Sequence, residues 1–130
     1  MIAYVESSAA AKILFRETET EALKRYLDAL DADDAMITSS VVMETELRRA
    51  AVREEVSQAL VTDILDHFDL VEPDRSVYRE AGLLPGQNLR TLDALHVAIA
   101  LRVGADVMVS YDQRQIVAAQ AAGLHTISPQ

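Results

Sequence analysis

Residues 89–127 read LRTLDALHVAIALRVGADVMVSYDQRQIVAAQAAGLHTI, and the order of elements in this stretch decides the fold. Its first part is the most apolar helix of the chain, and Gly104 ends it as a left-handed C-terminal glycine does. Gly123 closes a second helix in the same way. The predicted elements are a helix over 89–103, a strand over 107–109, a helix over 112–122 and a strand over 125–127.

The residues before this stretch repeat the order of strand, capping residue and helix. Tyr4 and Val5 close a short apolar run, and Ser7 or Ser8 is the predicted N-cap of the helix that follows. The other predicted elements are a helix over 19–32, a strand over 35–38, a helix capped by Ser39-Ser40 and ending near Ala50, a helix over 54–67, a strand at 70–71, a helix from Asp74 to Ala81 and a loop over 82–88. This alternation predicts an α/β fold with a mostly parallel sheet of four to five strands, covered on both faces.

The composition fits one domain over residues 1–130. Half of the 130 residues are apolar, which is enough for a hydrophobic core. The absence of cysteine excludes disulfides, thiolate metal sites and a cysteine nucleophile, and it fits a reducing compartment. No stretch has the pattern of a secretory signal or of a membrane span. We therefore expect a soluble, cytoplasmic protein.

The charge balance is acidic, with a formal net charge of −9 from 21 acidic and 12 basic residues. Such a molecule repels polyanions, so nonspecific nucleic-acid binding through a broad basic face is excluded. The charge counts less against a nuclease if several acids bind divalent cations, or if a basic partner protein covers the acidic surface.

Two acids follow predicted strands directly. Glu6 comes after the first strand, and Asp112 comes shortly after the strand over 107–109. Ligands of open parallel sheets bind beyond the carboxyl ends of the strands. The topology therefore predicts that Glu6 and Asp112 share one edge of the sheet.

Two more acids lie on predicted helices. Asp93 is in the first turn of the most apolar helix, where a solvated face is not expected to begin. Glu44 and Glu46 are two residues apart and differ by about 200° around a helix, so only one can face a site. Glu46 precedes Leu47 on the packed side, whereas Glu44 is the candidate for solvent or a local ion pair.

Carboxylates that converge at one point repel each other unless cations neutralise them, so the set Glu6, Glu46, Asp93 and Asp112 indicates Mg²⁺ or Mn²⁺. Bound metals can activate water and stabilise the leaving oxygen of a phosphodiester. Taken alone, each acid is better explained without catalysis. Glu6, Asp93 and Asp112 fit helix capping or a helix-terminal charge, which stabilises a helix by about 0.3–1 kcal/mol, and Glu46 fits a surface glutamate. The combination of all four favours a catalytic site.

The chain resembles PIN-domain proteins, and among them the VapC-type toxin ribonucleases. The resemblance rests on four motifs, which are YVESSA at 4–9, SSVVMETEL at 39–47, LRTLDALH at 89–96 and VSYDQR at 109–114. It implies an α/β/α sandwich, Mg²⁺- or Mn²⁺-dependent endoribonuclease activity on structured RNA such as tRNA or rRNA, a homodimer, and inhibition by a VapB-type antitoxin.

The resemblance also implies roles for individual residues. Glu46, Asp93 and Asp112 take the family's acidic positions, and Ser8 and Ser110 take its supporting hydroxyl positions. Position 6 departs from the pattern, because the family normally has aspartate there and this chain has glutamate. The extra methylene adds about 1.5 Å of reach. We expect this change to weaken turnover more than folding or antitoxin binding.

Basic and imidazole side chains flank the acidic motifs. Arg90 and Arg114 are candidate contacts to RNA phosphates, and helix-surface ion pairing is the simpler reading for neighbours such as Arg53. His96 lies one helical turn beyond Asp93. It is interpreted as a core histidine or as one that orients a metal ligand, in preference to a ligand itself.

Other functions use a similar pattern of acids. A phosphoacceptor receiver domain also has acids at strand ends, but it needs paired acids after the first strand and a late lysine, and the last lysine here is Lys24. A PIN-like scaffold that dimerises and binds its antitoxin without cleaving RNA is a second alternative, which Glu6 keeps open. A metal-dependent phosphatase or a DNA nuclease would use the same carboxylates.

Overall fold

The computed structural model describes all 130 residues, and its strands form one parallel sheet. The strands are β1 (Ile2–Val5), β2 (Met36–Ser40), β3 (Asp69–Val71), β4 (Val107–Val109) and β5 (His125–Ile127). Their order across the sheet is β3-β2-β1-β4-β5, so the first strand of the chain lies in the centre. The predicted α/β fold with a sheet of four to five strands is confirmed, and every pairing is parallel.

Seven helices connect the strands and cover the sheet. They are α1 (Ser7–Leu14), α2 (Thr20–Ala32), α3 (Val41–Arg53), α4 (Gln58–Leu65), α5 (Arg75–Leu83), α6 (Thr91–Arg102) and α7 (Gln113–Ala121). None of them combines the length and the apolar character that crossing a membrane requires.

The two faces of the sheet carry separate parts of the core. Successive side chains of a strand point to opposite faces. Accordingly, Tyr4 and Met108 pack with apolar residues of α5, α6 and α7, whereas Val5 and Val109 pack with apolar residues of α1 to α4. Helices therefore lie on both sides of the sheet, in an α/β/α sandwich.

The middle of helix α6 is buried on all sides, as the apolar run predicts. Each residue from Ala94 to Ala100 is buried. Gly104 follows with φ of 71°, and Gly123 follows α7 with φ of 91°, so both helices end at a left-handed glycine. This tight ending turns the chain directly into the next strand and brings the starts of α6 and α7 to the same edge of the sheet.

Several predicted boundaries are wrong. The helix predicted over 54–67 is shorter, because Glu55 adopts φ of 54°, a left-handed conformation that interrupts the chain, and Ser57 caps α4 from Gln58 onward. Helix α1 is capped by Glu6 rather than by Ser7 or Ser8, and Ser7 is its first residue. The remaining differences are small. Strand β2 extends through Ser40, α3 continues to Arg53, α5 continues to Leu83 so that the predicted loop over 82–88 begins later, and α6 begins at Thr91 instead of 89.

Candidate active site

The carboxyl ends of β1 and β4 position the first part of the site. Val5 is paired with Val109 across these neighbouring strands, and the Glu6 N–H donates to the Val109 carbonyl at 3.0 Å. Glu6 and Ser110 therefore leave the sheet side by side.

The Glu6 carboxylate is buried, with 5% of the residue exposed, and both of its oxygens are engaged. Oε2 accepts from Ser8 Oγ at 2.5 Å and from Ser110 Oγ at 2.7 Å, while Oε1 accepts from the Ser8 N–H at 3.1 Å. The longer glutamate thus folds back to cap its own helix and to reach the neighbouring strand end.

The two serine hydroxyls extend this network toward α7. Ser8 Oγ accepts from the Tyr111 N–H at 2.9 Å, and Ser110 Oγ accepts from the Asp112 N–H at 3.2 Å. Ser8 and Ser110 are themselves 3.3 Å apart, oxygen to oxygen. They hold the start of α1 against the segment that leads into α7.

The Glu46 carboxylate lies in a second network on α3. Its Oε1 contacts Ser7 Oγ at 2.6 Å and His96 Nε2 at 2.6 Å, whereas no hydrogen bond involves Oε2. Burial favours the neutral acid, but the hydrogen bonds and the imidazole of His96 outweigh it and hold the pKa of Glu46 below its ordinary value. The other glutamate of the pair, Glu44, binds Arg48 at 2.8 Å.

Asp93 and Asp112 lie at the starts of two helices. Asp93 is in the first turn of α6, and its Oδ2 is buried without any hydrogen-bond partner. Asp112 caps α7, with Oδ1 accepting from the N–H groups of Arg114 at 2.9 Å and Gln115 at 3.4 Å. Its Oδ2 makes no hydrogen bond. The capping role of Asp112 therefore leaves one oxygen for another function.

The structure brings the predicted residues into two networks, one around Glu6 and one around Glu46, which meet at the adjacent Ser7 and Ser8. It does not bring the four carboxylates into one cluster, and no group of three or more His, Asp or Glu side chains is arranged to hold a metal ion.

The donor set nevertheless suits a hard divalent cation. Glu46 and Asp112 each have a carboxylate oxygen without a protein partner, and Asp93 has a buried one. Mg²⁺ and Mn²⁺ prefer such oxygen ligands. A buried polar atom without a partner is uncommon in folded proteins and is explained by an ion or a water molecule at that point. Glu6 is the exception, because both of its oxygens are already bonded.

Sequence reasoning missed three residues of the site. Gln115 is fully buried on α7, and its Nε2 donates to the Asp93 carbonyl at 3.1 Å, which ties the two helix starts together. Its Oε1 is buried without a partner. Tyr4 and Ser7 bond to His96 and Glu46. The sequence could have indicated Gln115, because it is a glutamine at a position of α7 that is expected to be buried.

The two arginines predicted to contact substrate flank these helix starts. Arg90 directly precedes α6 and Arg114 is in the first turn of α7, and both residues are exposed. No protein hydrogen bond or ion pair engages either guanidinium. Their role toward RNA stays a prediction.

Comparison with known proteins decides the family. The family model described as PIN domain matches residues 3–121. The chain belongs to the PIN-domain family. Its relatives in that family include Ribonuclease VapC46 of Mycobacterium tuberculosis, with 37% identity covering 97% of this chain and 96% of the relative. Ribonuclease VapC35 of the same organism is 36% identical over the same shares. This PIN-domain protein is thus of the VapC type.

Solved structures show the same fold. VapBC2 from Rickettsia felis, described as bound to a DNA fragment from its promoter, matches with a TM-score of 0.77 at 15% identity, covering 100% of both chains. VapC20 of M. tuberculosis, described as a toxin that cleaves the sarcin-ricin loop, matches with a TM-score of 0.72 at 18% identity, covering 98% of this PIN-domain chain and 99% of VapC20. At these identities the likeness extends to the fold alone.

Proposed function

We propose that the chain is a Mg²⁺- or Mn²⁺-dependent endoribonuclease, the toxin of a type II toxin-antitoxin system, and that it cleaves structured RNA such as tRNA or rRNA with a metal-activated water. The ribonuclease names of its relatives support the reaction class. The observation that carries the proposal is the Oδ2 of Asp93, which is buried without a hydrogen-bond partner at the start of α6.

Asp93, Asp112 and Glu46 are the proposed ligands of the cation, through the oxygens that the protein leaves unbonded. A bound divalent cation supplies a nucleophilic water near neutral pH and neutralises charge on the phosphodiester. Gln115 fixes the backbone of Asp93, and Ser7 orients Glu46. The three carboxylates thus bind the cation in this proposal, and Gln115 and Ser7 orient them.

Glu6 is proposed as the fourth acidic position of the site. Its carboxylate is held by the hydroxyls of Ser8 and Ser110, so it contributes negative charge at the end of β1. Arg90 and Arg114 are proposed to contact RNA phosphates at the rim, where their free guanidinium groups offset part of the acidic charge of the chain.

The proposed partners are a VapB-type antitoxin and a second copy of the chain. A groove of about 540 Å³, which none of the four acids lines, has apolar side chains of α1, α2, β2 and α4 together with Asp28, Asp31, Lys24 and His67. Such a groove suits an amphipathic segment. Expression of the chain is expected to be toxic, and co-expression of the cognate antitoxin is expected to relieve the toxicity. Sedimentation of the chain is expected to give the mass of a dimer.

A catalytically impaired PIN scaffold, which dimerises and binds its antitoxin, is the second candidate. The observation that favours it is the saturation of Glu6, whose two carboxylate oxygens accept three hydrogen bonds from Ser8 and Ser110. In that case the cation is bound weakly or not at all, and RNA is left intact.

Cleavage of purified tRNA and rRNA separates the two candidates. The chain is expected to cut RNA with Mg²⁺ or Mn²⁺ and to stop when the cation is chelated, and the Asp93→Asn variant is expected to be inactive. Asp63→Asn is the matched control, because Asp63 is an exposed acid of α4 without a hydrogen bond or an ion pair. Cleavage that survives chelation, or that Asp93→Asn leaves unchanged, contradicts the proposal.

A further inference from the structure

Tyr4, His96 and Glu46 form a chain of hydrogen bonds through the interior. The Tyr4 hydroxyl is 2.7 Å from His96 Nδ1, and His96 Nε2 is 2.6 Å from Glu46 Oε1. Tyr4 and His96 are 0% and 1% exposed, respectively, whereas Glu46 is partly open to the site. The bonds link the central strand β1, helix α6 and helix α3.

The partners of His96 determine where its proton lies. A neutral imidazole has one N–H donor and one bare nitrogen that accepts. The Glu46 carboxylate can only accept, so Nε2 must carry the proton. With Nε2 protonated, a neutral ring leaves Nδ1 bare, and Nδ1 then accepts from the Tyr4 hydroxyl, whose pKa burial raises above its ordinary value. Each ring nitrogen of His96 thus has a matching partner.

The same contacts decide which oxygen of Glu46 is free. His96 Nε2 and Ser7 Oγ both bond Oε1, and they are 3.3 Å from each other. Two donors on one oxygen fix the plane of the carboxylate and leave Oε2 unbonded. Glutamate has three rotatable side-chain bonds, so without these donors its carboxylate would sample many positions at an appreciable entropic cost of ordering.

We propose that His96 is a positioning residue whose Nε2–H, together with Ser7, fixes the Glu46 carboxylate and leaves Oε2 free for a cation. The inference rests on the proposed function for its last step. Burial keeps His96 away from RNA and solvent, so it acts only through Glu46. His96 also lies on the same helix as Asp93, one turn away, so α6 sets the position of two proposed ligands together.

Nitrogen NMR of the wild-type protein, without metal, tests directly whether Nε2 carries a proton. With the histidines labelled with ¹⁵N, His96 is expected to show a protonated Nε2. The Tyr4→Phe variant removes the hydroxyl and is expected to change the Nδ1 signal and to broaden or shift Nε2. An Nε2 without a proton in the wild-type protein overturns the inference, because it could not donate to Glu46.

Two substitutions of His96 test the positioning role. The amide nitrogen of His96→Gln can take the place of Nε2 and donate to Glu46, whereas that of His96→Asn takes the place of Nδ1 and cannot reach it. Residues that orient metal ligands typically change metal affinity by about 10–100-fold. Mn²⁺ titration followed by electron paramagnetic resonance is therefore expected to show a loss of that size in His96→Asn and recovery of most of the affinity in His96→Gln.

A merely structural histidine gives a different pattern. In that case both variants lose thermal stability and lose Mn²⁺ affinity equally, which overturns the positioning role, so melting midpoints are recorded for each. Wild-type protein that binds no Mn²⁺ contradicts the proposed function and the last step of this inference. An Nε2 without a proton contradicts the inference even where Mn²⁺ binds normally, so the two failures are distinguishable.

Discussion

Shortening Glu6 to aspartate is expected to raise RNA cleavage sharply. The Glu6→Asp variant loses one methylene and about 1.5 Å of reach. The bond from Ser110 Oγ, now 2.7 Å, then exceeds the hydrogen-bond range of about 3.2 Å, while aspartate remains a preferred N-cap for α1. One carboxylate oxygen becomes free to approach a cation. A misplacement of about 1 Å in an active site can cost about 100-fold in rate, so a gain of that order is expected.

The effect on folding is expected to be much smaller than the effect on turnover. Losing the bond to Ser110 costs at most about 1.5–3 kcal/mol of unfolding free energy, and the better cap offsets part of it. Single-turnover cleavage of tRNA with saturating Mg²⁺ gives the rate, and urea denaturation gives the stability. Glu72→Asp is the matched control, since Glu72 is exposed and makes no side-chain hydrogen bond. Equal cleavage rates for the wild-type protein and Glu6→Asp refute the reasoning.

Three further predictions concern stability. Leu47 lies on the buried face of α3 and is 1% exposed, so Leu47→Ala is expected to lower the free energy of unfolding by about 2–5 kcal/mol in urea denaturation. A loss under about 1 kcal/mol argues against this packing. Ser57→Ala removes the N-cap of α4 and is expected to cost about 0.5–2 kcal/mol; no change in the melting midpoint contradicts the cap. Because the folded-state pKa of Glu46 is lowered, its contribution to stability is fully present above its ordinary pKa of 4.5 and is lost as pH falls through the folded value. In chelator, the stability difference between the wild-type protein and Glu46→Gln should therefore shrink on acidification, and a difference that grows instead contradicts the sign.

The order of strands and helices was predictable because each signal is local. A buried apolar run followed by glycine specifies α6 through residues that are close in sequence, and the same holds for α7. The start of α4 was not predictable in this way, because Glu55 adopts a positive φ, a conformation that is uncommon for glutamate and that its residue type does not indicate.

The candidate site was predictable as a set of positions but not as a set of contacts. Strand order places Glu6 beside Ser110, although they are 104 residues apart in sequence. Whether Glu6 forms a hydrogen bond there depends on the distance between its carboxylate and the Ser110 hydroxyl, which follows another strand. The sequence does not give that distance. The bond between Tyr4 and His96 is likewise set by packing across the sheet, so the sequence indicated a buried histidine without its partners.

Direct titration with Mn²⁺ tests the central claim, that the carboxylates at this edge of the sheet form a cation site. The free Mn²⁺ signal in electron paramagnetic resonance is followed as the wild-type protein, Asp93→Asn and the control Asp63→Asn are titrated at neutral pH. Saturable binding by the wild-type protein and by Asp63→Asn, with loss in Asp93→Asn, is the predicted result. No saturable binding by the wild-type protein, or equal binding by Asp93→Asn, would contradict the claim.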